Sequence, residues 1–177
     1  METWSIADLW LPIVVTGLAT HVLSTLAWTV SPHHNPEWSP LPMYNDLDTL
    51  FRERGVERGT QYLLSLGAEA DRDPAKCRGM LILWGHKPSM GSNIAMTLAF
   101  FFAAAVAIAY LASIGLPKSA PPVDVFRFTA TVAFLTHAAA GVPTVVWFRR
   151  KFLMDFLDGV AYSLATGAAF TAFWPGV

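Results

Sequence analysis

The sequence predicts an all-α membrane protein: a four-transmembrane-helix bundle with a cytoplasmic loop subdomain between helices one and two. Three observations predict it. Four apolar runs, at about 9–30, 94–114, 128–148 and 156–174, each approach the ~20 residues a helix needs to cross a bilayer. Charged residues are 14% of the 177, well below the ~25% of soluble domains. Within each run small or hydroxyl residues recur every fourth position, the spacing that lets helices approach closely in lipid. The chain therefore reads as one integral domain, 1–177, with residues 31–93 inserted.

The first run is preceded by Glu2 and Asp8 and by no Lys or Arg. A signal peptide begins with positive charge, so this run reads as a permanent helix. Its smooth stripe is Gly17, His21, Thr25 and Thr29. The insertion opens with four prolines, Pro32, Pro36, Pro40 and Pro42. Proline disfavours helix at the preceding residue, so 31–42 is expected to run extended along the headgroups, with Trp38 as an anchor. Residues 45–54 carry helix signals: Asn45 as cap, Leu47, Leu50 and Phe51 on one side, Gly55 past the end. Segments 61–66 and 79–84 are rich in β-formers and predict a hairpin across a polar turn at 67–78.

Helix two follows the turn and cap residues of 88–93. Its stripe is Ala95, Ala99, Ala103 and Ala107, which leaves Phe100, Phe101 and Phe102 for lipid. Pro117, Pro121 and Pro122 stiffen the next loop. Helix three offers Thr129, Ala133, His137 and Gly141, and Pro143 is expected to kink it. Helix four offers Gly159, Ser163, Gly167 and Thr171.

Basic residues set the orientation. Arg52, Arg54, Arg58, Arg72, Lys76, Arg78, Lys87, Arg149, Arg150 and Lys151 fall on one side, and Lys118 and Arg127 on the other. Basic loops stay cytoplasmic, so residues 31–93 are expected inside and both termini outside. Lys87, Arg149, Arg150 and Lys151 are placed to meet anionic lipid headgroups. The near-zero net charge of −1 gives no sign of a nucleic-acid partner, and none is expected. One cysteine, Cys77, excludes an intramolecular disulfide and any cysteine-built metal site.

His21 and His137 are the residues most unusual for their surroundings. Both fall mid-span on a small-residue stripe, and ionisable groups there are costly. Two imidazoles at one depth suit haem b, another metal or a proton relay; the plainer alternative is a hydrogen-bonded neutral pair. Haem is disfavoured sterically, because small stripes draw helices together. His33 and His34, with Glu37 or His86, form a second metal candidate. Adjacent side chains diverge in an extended strand, which works against one ion taking both. Asp155 and Asp158 beside Arg149–Lys151 read as a topology device, with proton uptake at Asp158 as the alternative.

Several segments carry a resemblance: Pro32-His33-His34 leading to Leu41-Pro42, Pro88-Ser89-Met90-Gly91, Val125-Phe126-Arg127 with Ala133-Phe134-Leu135, Asp158-Gly159-Val160-Ala161-Tyr162, and Phe173-Trp174-Pro175. Together they resemble a family of small, uncharacterised bacterial inner-membrane proteins. The resemblance implies a four-span architecture and no established activity. It does not extend to histidine at positions 21 and 137, which weakens any shared haem role.

Three functions follow as expectations. The first is a non-catalytic accessory or scaffold subunit of a larger bacterial membrane complex, with lipid and other subunits as partners. The second is a redox or metal-handling protein built on His21 and His137, and the third a small transporter or lipid-binding protein. No hydrolase, P-loop or dinucleotide motif is present.

Overall fold

The computed structural model describes residues 2–64 and 75–175. It is mostly helical and divides into two compact units, Met1–Glu37 with Gly91–Val177, and Trp38–Met90. In chain order the helices are α1 (Trp10–Thr29), α2 (Tyr44–Glu53), α3 (Met90–Gly115), α4 (Pro122–His137), α5 (Val142–Phe148) and α6 (Leu153–Ala172). Among the described residues, three helical stretches are long and apolar enough to cross a membrane: Ile6–Thr29, Met90–Gly115 and Pro122–Phe148. The fourth helix, α6, has the length but is not among them. Asp155 and Asp158, with Gly159, Ser163, Thr166, Gly167 and Thr171, dilute its apolar character.

The smaller unit holds α2 and a two-stranded antiparallel ladder. Strands β1 (Thr60–Leu64) and β2 (Gly79–Leu83) pair from Thr60 with Leu83 to Leu64 with Gly79. The hairpin is thus present, while most of its expected turn, with Arg72, lies outside the described residues. Asp48 pairs with both Arg52 and Arg58, tying α2 to the segment before β1.

In the larger unit α6 is the central helix, packed on α4 and α1. Two glycines set the α4–α6 approach. A Cβ at Gly159 would lie 2.5 Å from the His137 carbonyl oxygen, and one at Gly167 would lie 2.8 Å from the Ala130 Cβ. Neither atom can yield cheaply, so only glycine permits this spacing. Thr129, Ser163 and Thr166 are buried along the same seam and donate to carbonyls four residues back in their own helices. Each thereby satisfies its hydroxyl without a partner helix. At the end where the chain begins, Leu9, Ile108, Ala112, Val125, Phe170 and Trp174 form a close-packed apolar core. Ser5 and Asp8 cap the turn leading into α1 reciprocally, and the Lys118 amide donates to the Glu2 carbonyl, pinning the N-terminal segment.

Four expectations need correction. The α3 stripe Ala95, Ala99, Ala103 and Ala107 is exposed; the buried face is Phe101, Ala104, Ala105, Ile108, Ala109 and Ala112. In an alanine-rich helix several faces are equally smooth, so spacing alone does not choose one. Phe101 is only 5% exposed, and Phe102 lies against Gly17, so of the three phenylalanines Phe100 alone points outward. Of the α1 stripe, Gly17 is buried, His21 is half-buried, and Thr25 and Thr29 are exposed. Pro143 breaks its helix rather than kinking it. α4 ends at His137, a 3-10 turn covers Ala139–Gly141, and Pro143 takes the second position of α5, where its missing N–H leaves no bond unmade.

Candidate functional site

The site lies where α1 and α4 end and α6 begins. Residues Pro32–Glu37 form a 3-10 helix instead of the expected extended chain. Proline tolerates the first helical turn, which Pro32 occupies. A 3-10 helix eclipses residues three apart, and so sets Glu37 beneath His34. The two carboxylate oxygens of Asp158 then reach back to this segment. His33 Nε2 lies 3.0 Å from one and His34 Nε2 3.0 Å from the other. The helical backbone thus overturns the argument from an extended strand: both rings converge, with centroids 4.3 Å apart.

The other nitrogen of each ring is also held. His34 Nδ1 is 2.7 Å from Glu37 Oε2, and His33 Nδ1 is hydrogen bonded to Ser31 Oγ. The Trp28 indole stacks on His34, with centroids 3.9 Å apart and planes 11° from parallel. His34 is left only 5% exposed. Burial alone would lower its pKa, but the hydrogen bonds and charges of Glu37 and Asp158 outweigh it and raise the pKa above the ordinary histidine value. Asp155 stands nearby, bonded to Arg150 at 2.8 Å, and Lys151 Nζ donates to the Pro36 carbonyl.

Among the described residues, two overlapping sets of donor atoms are close enough to hold an ion: His33, His34 and Asp158, and His34, Glu37 and Asp155. In each, the donors lie within 4.8 Å of one another. Donor atoms of a tetrahedral zinc ion, bound at ~2.0–2.2 Å, sit about 3.3 Å apart. The 3.0 Å contacts between Asp158 and the two imidazoles are within a small adjustment of that spacing.

A cavity of about 350 Å³ opens beside the cluster, lined in part by Ser24, Trp28, His137, Arg150, Asp158 and Tyr162. His137, placed in the sequence as a mid-span ligand, is therefore a cavity wall. Its ring packs edge-on to Tyr162, and both His137 and His21 pack against Phe101, at 5.7 and 6.3 Å between centroids. His86 belongs to the other unit and is exposed, as is Lys87. Of the expected headgroup cations, Arg149 is exposed in a left-handed conformation (φ 48°), while Arg150 and Lys151 are engaged as described.

Sequence reasoning undervalued Asp158, Asp155, Trp28 and Tyr162. The available signal was the distance of Asp158 into an otherwise apolar helix, followed directly by Gly159. No family model, curated protein or solved structure matches this chain.

Proposed function

We propose that this protein is a small metal-handling accessory component of the bacterial inner membrane. It binds one divalent transition-metal ion through His33, His34 and Asp158. The observation that carries the reading is the convergence of both Nε2 atoms on the two oxygens of one carboxylate. Two imidazoles and a carboxylate suit zinc, or iron(II) with open positions. A ligating histidine commonly gives its second nitrogen to a carboxylate or another oxygen, which fixes the ring. Glu37 and Ser31 stand in that relation to His34 and His33.

The chemistry of loading follows from the hydrogen bonds. With carboxylates at both nitrogens, His34 favours the doubly protonated form. A cation that takes Nε2 displaces a proton there, so metal uptake releases protons and strengthens as pH rises. We place the ion at the cytoplasmic end of a four-span bundle whose termini lie outside. Ten basic residues against two support that orientation.

The plainer alternative is an ion-paired cluster that only staples Pro32–Glu37 to α6. Calorimetric titration of the full-length protein in neutral detergent with zinc separates the two. One ion per chain is expected, lost in His33→Ala and His34→Ala and kept in His21→Ala. Zinc binding unchanged in both cluster variants would leave only the staple.

A further inference from the structure

We propose that one face of the β1–β2 hairpin rests on an anionic lipid surface, with Leu63, Met80 and Ile82 set among the headgroups. The hairpin belongs to the smaller unit, which holds none of the histidine–carboxylate residues, so this surface is separate from the metal site.

The pleat divides the hairpin into two faces. Leu63 pairs with Met80 and Gln61 with Ile82, and successive side chains alternate, so these four share one side. Thr60, Tyr62, Leu81 and Leu83 share the other and are all half-buried. The first side is exposed throughout, Ile82 by 50%. A sheet face turned to water is ordinarily polar, and this one offers only Gln61. Trp84, which follows β2, is 69% exposed as well. Apolar surface gathered in this way marks a place of contact.

Three observations commit that contact to lipid. The chain is fixed to the bilayer nearby: Trp84 is six residues from Met90, where a span-length helix begins, a reach of at most about 22 Å. Tryptophan settles at the level of the headgroups, and this unit carries Trp38 and Trp84, both exposed. Residues 75–90 hold Lys76, Arg78 and Lys87 and no acid, which suits anionic headgroups; the acids Glu69, Asp71 and Asp73 precede that stretch in sequence. Among the described residues the sheet has two strands, so each strand has an outer edge of unpaired N–H and C=O groups. Water and headgroups satisfy those groups and hydrocarbon does not, which sets the hairpin in the interface rather than in the bilayer core.

The test uses full-length protein in which Cys77, the exposed native thiol, is replaced by Cys77→Ser. A nitroxide is attached through Leu63→Cys, Ile82→Cys or, as the control, Glu57→Cys. All three positions are exposed, so the labels leave the packed residues in place. The protein is reconstituted in vesicles of phosphatidylcholine and phosphatidylglycerol. Collision with oxygen, which enters lipid, is compared with collision with a water-soluble nickel chelate. Labels at 63 and 82 are expected to be rich in oxygen and poor in nickel, about 5–10 Å into the headgroup and acyl boundary, while the label at 57 stays open to nickel. Adding Lys76→Glu and Lys87→Glu should raise nickel access at 82 severalfold in these vesicles. Nickel access at 63 and 82 equal to that at 57 overturns the inference. Spin–spin broadening at 82 that disappears on dilution with unlabelled protein also overturns it, and assigns the face to a second copy of the chain. A depth indifferent to the two charge reversals overturns the assignment to anionic lipid.

Discussion

The two ends of the larger helical unit are built on opposite terms. Where α1 and α4 begin and α3 and α6 end, Leu9, Val125 and Phe170 are fully buried and Trp174 nearly so, in a continuous apolar core. Where α1 and α4 end and α6 begins, the chain gathers two imidazoles, three carboxylates and a guanidinium beside a cavity that Arg150, Asp155 and Asp158 help to line. The first end is closed by packing, which yields stability and no chemistry. The second holds buried charge, which costs stability unless each group is paired. A fold carries such an arrangement at a functional place, and the closed end is what offsets it.

That contrast can be broken first at the closed end. Phe170→Ala should lower unfolding stability by about 3–5 kcal/mol, measured by denaturant titration in mixed micelles, because a fully buried aromatic leaves a cavity. Zinc affinity of the folded fraction should not move; a parallel loss would mean that the ends are not separable. At the charged end Asp158→Asn removes the one carboxylate both histidines share. Zinc affinity should fall beyond the ~100-fold that marks the larger effects of supporting residues. Glu37→Gln keeps shape and loses the charge behind His34, so a smaller loss, about tenfold, is expected in the same titration.

The smallest effect is a pH dependence whose sign separates the ends. The His34 pKa is raised in the folded protein from an ordinary 6.5. Its stabilising contribution is therefore complete below about 6.5 and fades as pH rises through the raised folded value. Metal-free protein should lose stability as pH rises above about 6.5 and through the raised folded value, and His34→Gln should flatten that slope. Zinc affinity should move the opposite way and strengthen with pH, read by titration at each pH. A wild-type stability curve as flat as that of His34→Gln would show that the imidazole is not held by its carboxylates.

Much of the fold was legible, and the reasons differ by element. Three of the four apolar runs announced themselves because hydrocarbon length is a coarse, additive property. Gly159 and Gly167 were legible because close helix approach has one local requirement, a missing side chain. The buried face of α3 was not, since alanine supplies several equivalent smooth faces. The break at Pro143 was read as a kink because the sequence does not say whether the helix resumes beyond it. His33 and His34 were found but misjudged. Four prolines in 31–42 argue for extended chain, and only the tether to Asp158, 124 residues away from His34, accompanies the 3-10 turn that makes the rings converge. A contact over that separation leaves no local trace in sequence.

The most direct test of the metal site is X-ray absorption at the zinc edge on the full-length protein loaded with one equivalent of zinc. Two imidazole rings and light oxygen or nitrogen scatterers at about 2.0–2.1 Å are expected, with one ring lost in His33→Ala. A bound zinc with no imidazole scattering, or a spectrum unaltered by that substitution, would contradict the assignment of the ion to His33, His34 and Asp158.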